Sequence, residues 1–148
     1  VKEMQMPIKF YEDLNAFKLF LLDCGLFACM VDAPAKQMVI NNHVFKEFKG
    51  AFTEQFVLQQ LVAKKMKPYY WSSNATPAGI DFVVQQQERI VPIEVKAEEN
   101  VKARSMKTYI DSHPDACLKG LRISMKGYVE QEWMENIPLY GISAYFKD

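Results

Sequence analysis

Apolar residues fall along this chain in short blocks, some with helical and some with strand-like spacing. Phe17-Lys18-Leu19-Phe20-Leu21-Leu22 is apolar apart from one lysine and short enough for a buried strand. Asp23 is then placed to N-cap a short helix over Leu26 to Val31. A helix from Asp13 through Cys24, stopped by Gly25, competes for the same residues. Ala33-Pro34 ends either form, and His43 to Lys49 reads as connecting structure. Ala51 to Lys65 is the clearest helix, with good helix formers in its second half and Pro68 close behind. At about 100° per residue, Phe52, Phe56, Val57, Leu58, Leu61 and Val62 spread around most of its circumference, so it packs on more than one side. Glu54 falls within that apolar spread, between Leu61 and Leu58. A carboxylate there needs a partner.

The second half of the chain turns strand-like. Lys67 to Ser72 carries aromatic residues suited to a pleated surface, and Ser73 to Gly79, with Pro77, is a loop. Two strands follow, Ile80 to Gln85 and Arg89 to Lys96, joined by a polar hairpin around Gln86-Gln87-Glu88. Pro92 has no ladder donor, which predicts an edge, a bulge or a strand start at that point. A helix from about Val101 to Asp111 ends before His113-Pro114. Leu121 to Ser124 forms a further strand returning beside that of Glu94. Asn136 to Tyr140 is an extended exit, and Gly141 to Phe146 a last helical turn. The order helix, strand, strand, strand, helix, strand predicts an α/β domain of three layers, a mixed sheet with helices against it.

Composition narrows the function. The chain's 148 residues suit one domain, and 49% apolar with 24% charged residues is ordinary for a soluble globular protein. No apolar run approaches the roughly 20 residues needed to span a bilayer, and the N-terminus lacks a secretory signal pattern. The chain begins at Val1, which reads as a piece of something longer. Cys24, Cys29 and Cys117 form no CxxC pair and read as reduced cysteines of a cytoplasmic protein. His43 and His113 stand alone and read as surface or loop residues. Formal net charge is zero, which argues against a strong autonomous nucleic-acid binder. Charge is nonetheless divided, with Lys64, Lys65, Lys67, Lys96, Lys102, Arg104 and Lys107 in the middle and Glu130, Glu132 and Glu135 near the end.

The candidate chemistry lies in the hairpin. Glu94 and Lys96 share a strand face, with backbones roughly 7 Å apart, and an acid and an amine on an aliphatic strand are costly to bury without a reason. Asp81 opens the preceding strand and Glu54 comes from the long helix. Asp81 and Glu94, with the carbonyl of Val95, make an oxygen-ligand set for Mg²⁺ or Mn²⁺, and Glu54 would hold a second cation or a metal-bound water. Such an ion supplies Lewis-acid activation of a phosphoryl group and of water. Lys96 would orient the attacking water and offset transition-state charge. The competing account is a plain ion pair of Lys96 with Glu94 or Asp81 at a sheet end.

Gly50-Ala51-Phe52-Thr53-Glu54, Ala78-Gly79-Ile80-Asp81-Phe82-Val83 and Val91-Pro92-Ile93-Glu94-Val95-Lys96 together resemble the PD-(D/E)xK nuclease superfamily. More narrowly, the chain resembles the domain of unknown function that ends many bacterial and archaeal AAA-type ATPases. Phe17 to Leu26 and Asn136 to Tyr140 look like that domain's opening and closing segments. The resemblance implies a restriction-endonuclease-like core, with Glu54, Asp81, Glu94 and Lys96 at the metal and catalytic positions. It also implies a P-loop ATPase and a winged-helix segment ahead of Val1. No GxxxxGK[ST] occurs in this chain, so ATP hydrolysis is not expected of it. Ile80 stands where the superfamily has a proline before the aspartate. Two functions follow: a Mg²⁺-dependent nuclease domain, or the same fold with an idle site serving DNA contact or oligomerisation of the ATPase. A third, a partner surface made by Tyr69, Tyr70, Trp71 and Tyr109, competes with the expectation that these are core or half-buried sheet residues.

Overall fold

The structure is a computed structural model that describes residues 1–32, 46–73, 78–97, 103–114 and 118–146. Ala33-Pro34, His43, Pro77, Val101, Lys102 and Cys117 lie outside the described residues. Strands β1 (Tyr69–Ser72), β2 (Gly79–Gln86), β3 (Arg89–Lys96), β4 (Gly120–Ser124), β5 (Val129–Glu130) and β6 (Met134–Pro138) form one mixed sheet of six, in the order β1-β2-β3-β4-β6-β5. The helices are α1 (Cys24–Met30), α2 (Lys46–Ala63), α3 (Arg104–Ser112) and α4 (Ile142–Tyr145). The expected α/β architecture, a mixed sheet flanked by helices, is the one observed. Among the described residues, no helix is long and apolar enough to cross a membrane.

Strand alternation divides the core into two layers. Val57 and Leu61 of α2 pack on Phe82, Val84, Val91, Ile93, Val95, Leu121 and Ile123, together with Ile137, Ile142 and Phe146. Met106 and Tyr109 of α3 join Met4, Ile8, Ile80, Val83, Ile90 and Met134 on the other face. Gly120 allows α3 to come close, since a Cβ there would stand 2.7 Å from the sulfur of Met106. Tyr69, Tyr70 and Trp71 of β1 are half-buried, and Tyr109 is buried on α3 and not in the sheet.

Four expectations change, the last of them at Pro92, expected at an edge, a bulge or a strand start. The segment 17–22 is neither buried strand nor helix. Phe20 packs on Phe82, with ring centroids 5.7 Å apart, while Phe17, Leu19 and Leu22 are exposed. Its backbone meets a side chain in place of a strand: Gln55 Nε2 donates to the Leu21 carbonyl at 2.9 Å, and Gln55 Oε1 accepts from the Leu21 N–H at 3.0 Å. Asp23 does cap α1, accepting from the Leu26 N–H at 2.8 Å. Second, α2 begins at Lys46, so its first turn takes residues read as connecting structure. Third, the Asn136 to Tyr140 exit begins with a strand, β6, parallel to β4 and antiparallel to the short β5.

Pro92 lies inside β3, a strand with neighbours on both sides. The Val95 N–H points toward β2, so alternation turns the Pro92 nitrogen toward β4, where the pairing begins only at Ile93. The missing donor therefore costs no ladder bond. Parallel pairing then places Glu94 beside Arg122 and Lys96 beside Ser124.

Gln55→Ala removes both bonds to Leu21. It is expected to lower unfolding free energy by about 1–3 kcal/mol in chemical denaturation and to speed amide exchange at Leu21. Unchanged exchange at Leu21 would show that the segment is held by other contacts.

Candidate functional site

Three of the four predicted residues, Asp81, Glu94 and Lys96, lie at the rim where β2 begins and β3 ends, while Glu54 stands on α2. Between β1 and β2 the register shifts, with Tyr69 opposite Val83 but Trp71 opposite Ile80. That leaves one extra residue in β2 around Asp81 and Phe82, and such bulges re-aim side chains. Continuing the β2–β3 register by one residue sets Asp81 opposite Glu94. Asp81 Oδ2 accepts the Val95 N–H at 2.8 Å, and within a strand the carbonyl of a residue points to the same side as its N–H. The Val95 carbonyl is thus directed toward the edge that carries Asp81.

Glu94 and Lys96 project to the face of α3, opposite the layer of α2 that carries Glu54. Lys96 Nζ is 2.6 Å from Glu94 Oε1, the ion pair that the competing account requires. Glu94 Oε2 is buried and accepts no hydrogen bond from the described residues. Glu54 turns to Lys18, whose Nζ lies 3.3 Å from Glu54 Oε2 and 4.0 Å from Asp81 Oδ1. Among the described residues, no three His, Cys, Asp or Glu side chains are gathered closely enough to hold one metal ion. The structure thus brings Asp81 and Glu94 together on neighbouring strands. Glu54 remains one lysine away.

That pair fits Mg²⁺, which is commonly bound by one or two carboxylates plus waters and substrate phosphates. Glu94 Oε2 is an acceptor without a donor among the described residues, Asp81 Oδ1 is turned toward the Lys18 ammonium, and the Val95 carbonyl is directed toward Asp81.

Electrostatics tie the set together. Burial pushes the Glu54 carboxyl above its ordinary value, Asp81 adds to that, and Lys18 and Lys96 oppose it. Burial likewise raises Glu94, with Lys96 pulling it down, Asp81 raising it and Arg122 pulling it down. Burial lowers Arg122, against the attraction of Glu94.

Sequence reasoning missed Lys18, Gln55, Arg122 and Asn136. Arg122 is buried beside Glu94, and its Nε donates to Asn136 Oδ1 at 2.8 Å. Ser124 Oγ donates to the same oxygen at 2.8 Å, while Asn136 Nδ2 donates to the Gly127 carbonyl at 2.8 Å. The signal available was an arginine between Leu121 and Ile123 in a strand placed beside Glu94. Against this polar row a cavity of about 250 Å³ opens on the other flank of Asp81, walled by Phe17, Lys18, Phe20, Tyr69 and Tyr70. Lys18 Nζ stands 5.5 Å from the centre of the Tyr70 ring there.

A carboxyl held above its ordinary value binds its proton more tightly in the folded chain than in the unfolded one. Its contribution to stability is therefore greatest below the unfolded value and is lost as pH rises through the folded one. Glu94→Gln is expected to raise the melting temperature at pH 7 and to approach the wild-type value below about pH 4, read by calorimetry across pH. A lower melting temperature for the variant at pH 7 would mean that the Lys96 pair outweighs burial.

No curated protein matches this chain. A family model matches residues 49–145, which include Glu54, Asp81, Glu94 and Lys96 but not Lys18. The chain belongs to that family, described as Domain of unknown function (DUF4143).

Proposed function

We propose that this chain is a Mg²⁺-dependent, nuclease-like phosphodiesterase domain of the PD-(D/E)xK type, acting on nucleic acid. One observation carries the reading: the buried Glu94 oxygen without a donor among the described residues, opposite Asp81 and two residues before Lys96. A buried polar atom with no partner calls for an explanation, and a bound ion is one of the few available. Mg²⁺ or Mn²⁺ held by Asp81, Glu94 and the Val95 carbonyl supplies Lewis-acid activation of a phosphodiester. Lys96 holds the Glu94 carboxylate in place and presents a positive charge to a phosphate. Glu54 adds negative charge behind Asp81, which favours a cation between them.

Charge limits how nucleic acid is held. Lys67, Lys107 and Lys119 are each paired with a carboxylate, Glu12, Asp111, and Glu130 with Glu135 respectively. With a formal net charge of zero, phosphate binding by this chain alone is expected to be weak, and the reading assigns DNA delivery to another part of the protein. The resemblance to the domain that ends AAA-type ATPases supports an ATPase in the same polypeptide as that part. A second reading is an idle nuclease fold used for DNA contact, or for interaction or oligomerisation of that ATPase. It is favoured by the ammonium of Lys18 between Glu54 and Asp81 and by the exposed Phe10, Leu14, Phe17, Leu19 and Leu22.

Calorimetric titration with Mn²⁺ is expected to show binding that Asp81→Asn weakens by on the order of 100-fold. Lys96→Ala should lower Mg²⁺-dependent cleavage of single-stranded or duplex DNA by about 10²–10³-fold. Equal Mn²⁺ uptake by wild type and Asp81→Asn would defeat the metal assignment. Binding without any cleavage would favour the idle-site reading.

A further inference from the structure

Lys18 comes from the irregular segment ahead of α1, outside the residues that the family model matches. Its ammonium reaches Glu54 Oε2 at 3.3 Å and Asp81 Oδ1 at 4.0 Å. It also lies 5.5 Å from the Tyr70 ring centre and 5.9 Å from that of Phe82. Two acids and two ring faces thus converge on one positive charge. The side chain is 34% exposed, so it can leave without breaking the core.

The segment that delivers Lys18 is lightly held. Gln55 grips the backbone of Leu21, and Phe20 rests on Phe82. Phe17 on one side of Lys18 and Leu19 on the other are 79% and 86% exposed. A segment with few buried contacts and side-chain rather than ladder hydrogen bonds belongs to the low-stability end of local opening.

We propose that Lys18 is a built-in counter-ion that competes with a divalent cation for Asp81, so that metal entry requires the 17–22 segment to withdraw its ammonium. This rests on the metal reading of Asp81 and Glu94 given above. One carboxylate oxygen of Asp81 is committed to the Val95 N–H, and the other faces Lys18. A cation arriving at Asp81 meets an ammonium already turned to its free oxygen, and Coulomb repulsion between them disfavours joint occupancy. By linkage, whatever draws the segment away tightens metal binding, and metal binding loosens the segment by the same factor. The site is then closed by its own N-terminal flank until a partner or substrate engages that flank.

Mn²⁺ titration of wild type, Lys18→Met and Lys18→Gln tests this, with amide exchange of residues 17–22 followed with and without Mg²⁺. Lys18→Met keeps the apolar stem, and Lys18→Gln serves if it fails to fold. Removal of the charge is expected to tighten Mn²⁺ binding by on the order of 5- to 10-fold, and Mg²⁺ to accelerate exchange at Leu21 in wild type only. Equal affinity in wild type and variant, with both binding, overturns the counter-ion role and leaves the metal site standing. Weaker binding in the variants overturns it as well. No binding by any of the three brings down the metal reading and this inference together.

Discussion

A carboxylate buried at the end of β3 is the constraint around which this domain is arranged. Glu94 is 6% exposed, and one of its oxygens has no donor among the described residues. Burying a charge without full compensation opposes folding, and the surroundings supply only part of what is missing. Lys96 grips one oxygen, Arg122 lies alongside, and Asn136 and Ser124 keep that arginine in register. Two apolar layers fix the strands that carry these groups, so the cost is met by packing far from the rim. A site that gives up stability to hold a charge ready is what function commonly demands of a fold.

The rim also shows how one end of the sheet gathers groups from opposite layers. Glu94 and Lys96 face α3, Glu54 comes from α2 on the other side, and the bulge beside Asp81 lets that residue address both. Asp81 binds the β3 backbone with one oxygen and meets Lys18 with the other. Two lysines therefore hold the acids from two directions, Lys96 from within the strand and Lys18 from outside the sheet. Positive charge at Lys96 belongs to the strand itself, whereas that at Lys18 depends on a segment with little of its own packing.

Much of the sheet was legible because its signals are local. The hairpin of β2 and β3 announces itself by aliphatic runs around a polar turn, and Gln87 with φ 54° makes the tight reversal. The long helix was legible from Phe56, Val57, Leu61 and their neighbours, though not its start at Lys46, where Gly50 reads as a boundary. β4 was placed beside β3 correctly from its apolar run. The segment 17–22 was not legible, because an apolar block without a strand partner cannot be told from a buried strand by composition. Gln55 supplies the missing ladder bonds, and a glutamine side chain gives no such signal in sequence. Asp81, Glu94 and Lys96 were singled out by spacing, and the register sets Asp81 opposite Glu94, which pairs with Lys96. Lys18 and Arg122 were hidden as single charges in apolar runs, and their roles come only from tertiary register.

Central to the proposed function is a divalent cation lodged between Asp81 and Glu94 at the rim of β2 and β3. Anomalous scattering from crystals of this chain grown with Mn²⁺ addresses that directly. A peak within coordination distance of Asp81 Oδ1 and Glu94 Oε2, with Lys18 moved away from Asp81, is the predicted result. A map with Lys18 still seated between Glu54 and Asp81 and manganese elsewhere, or none at all, would contradict it.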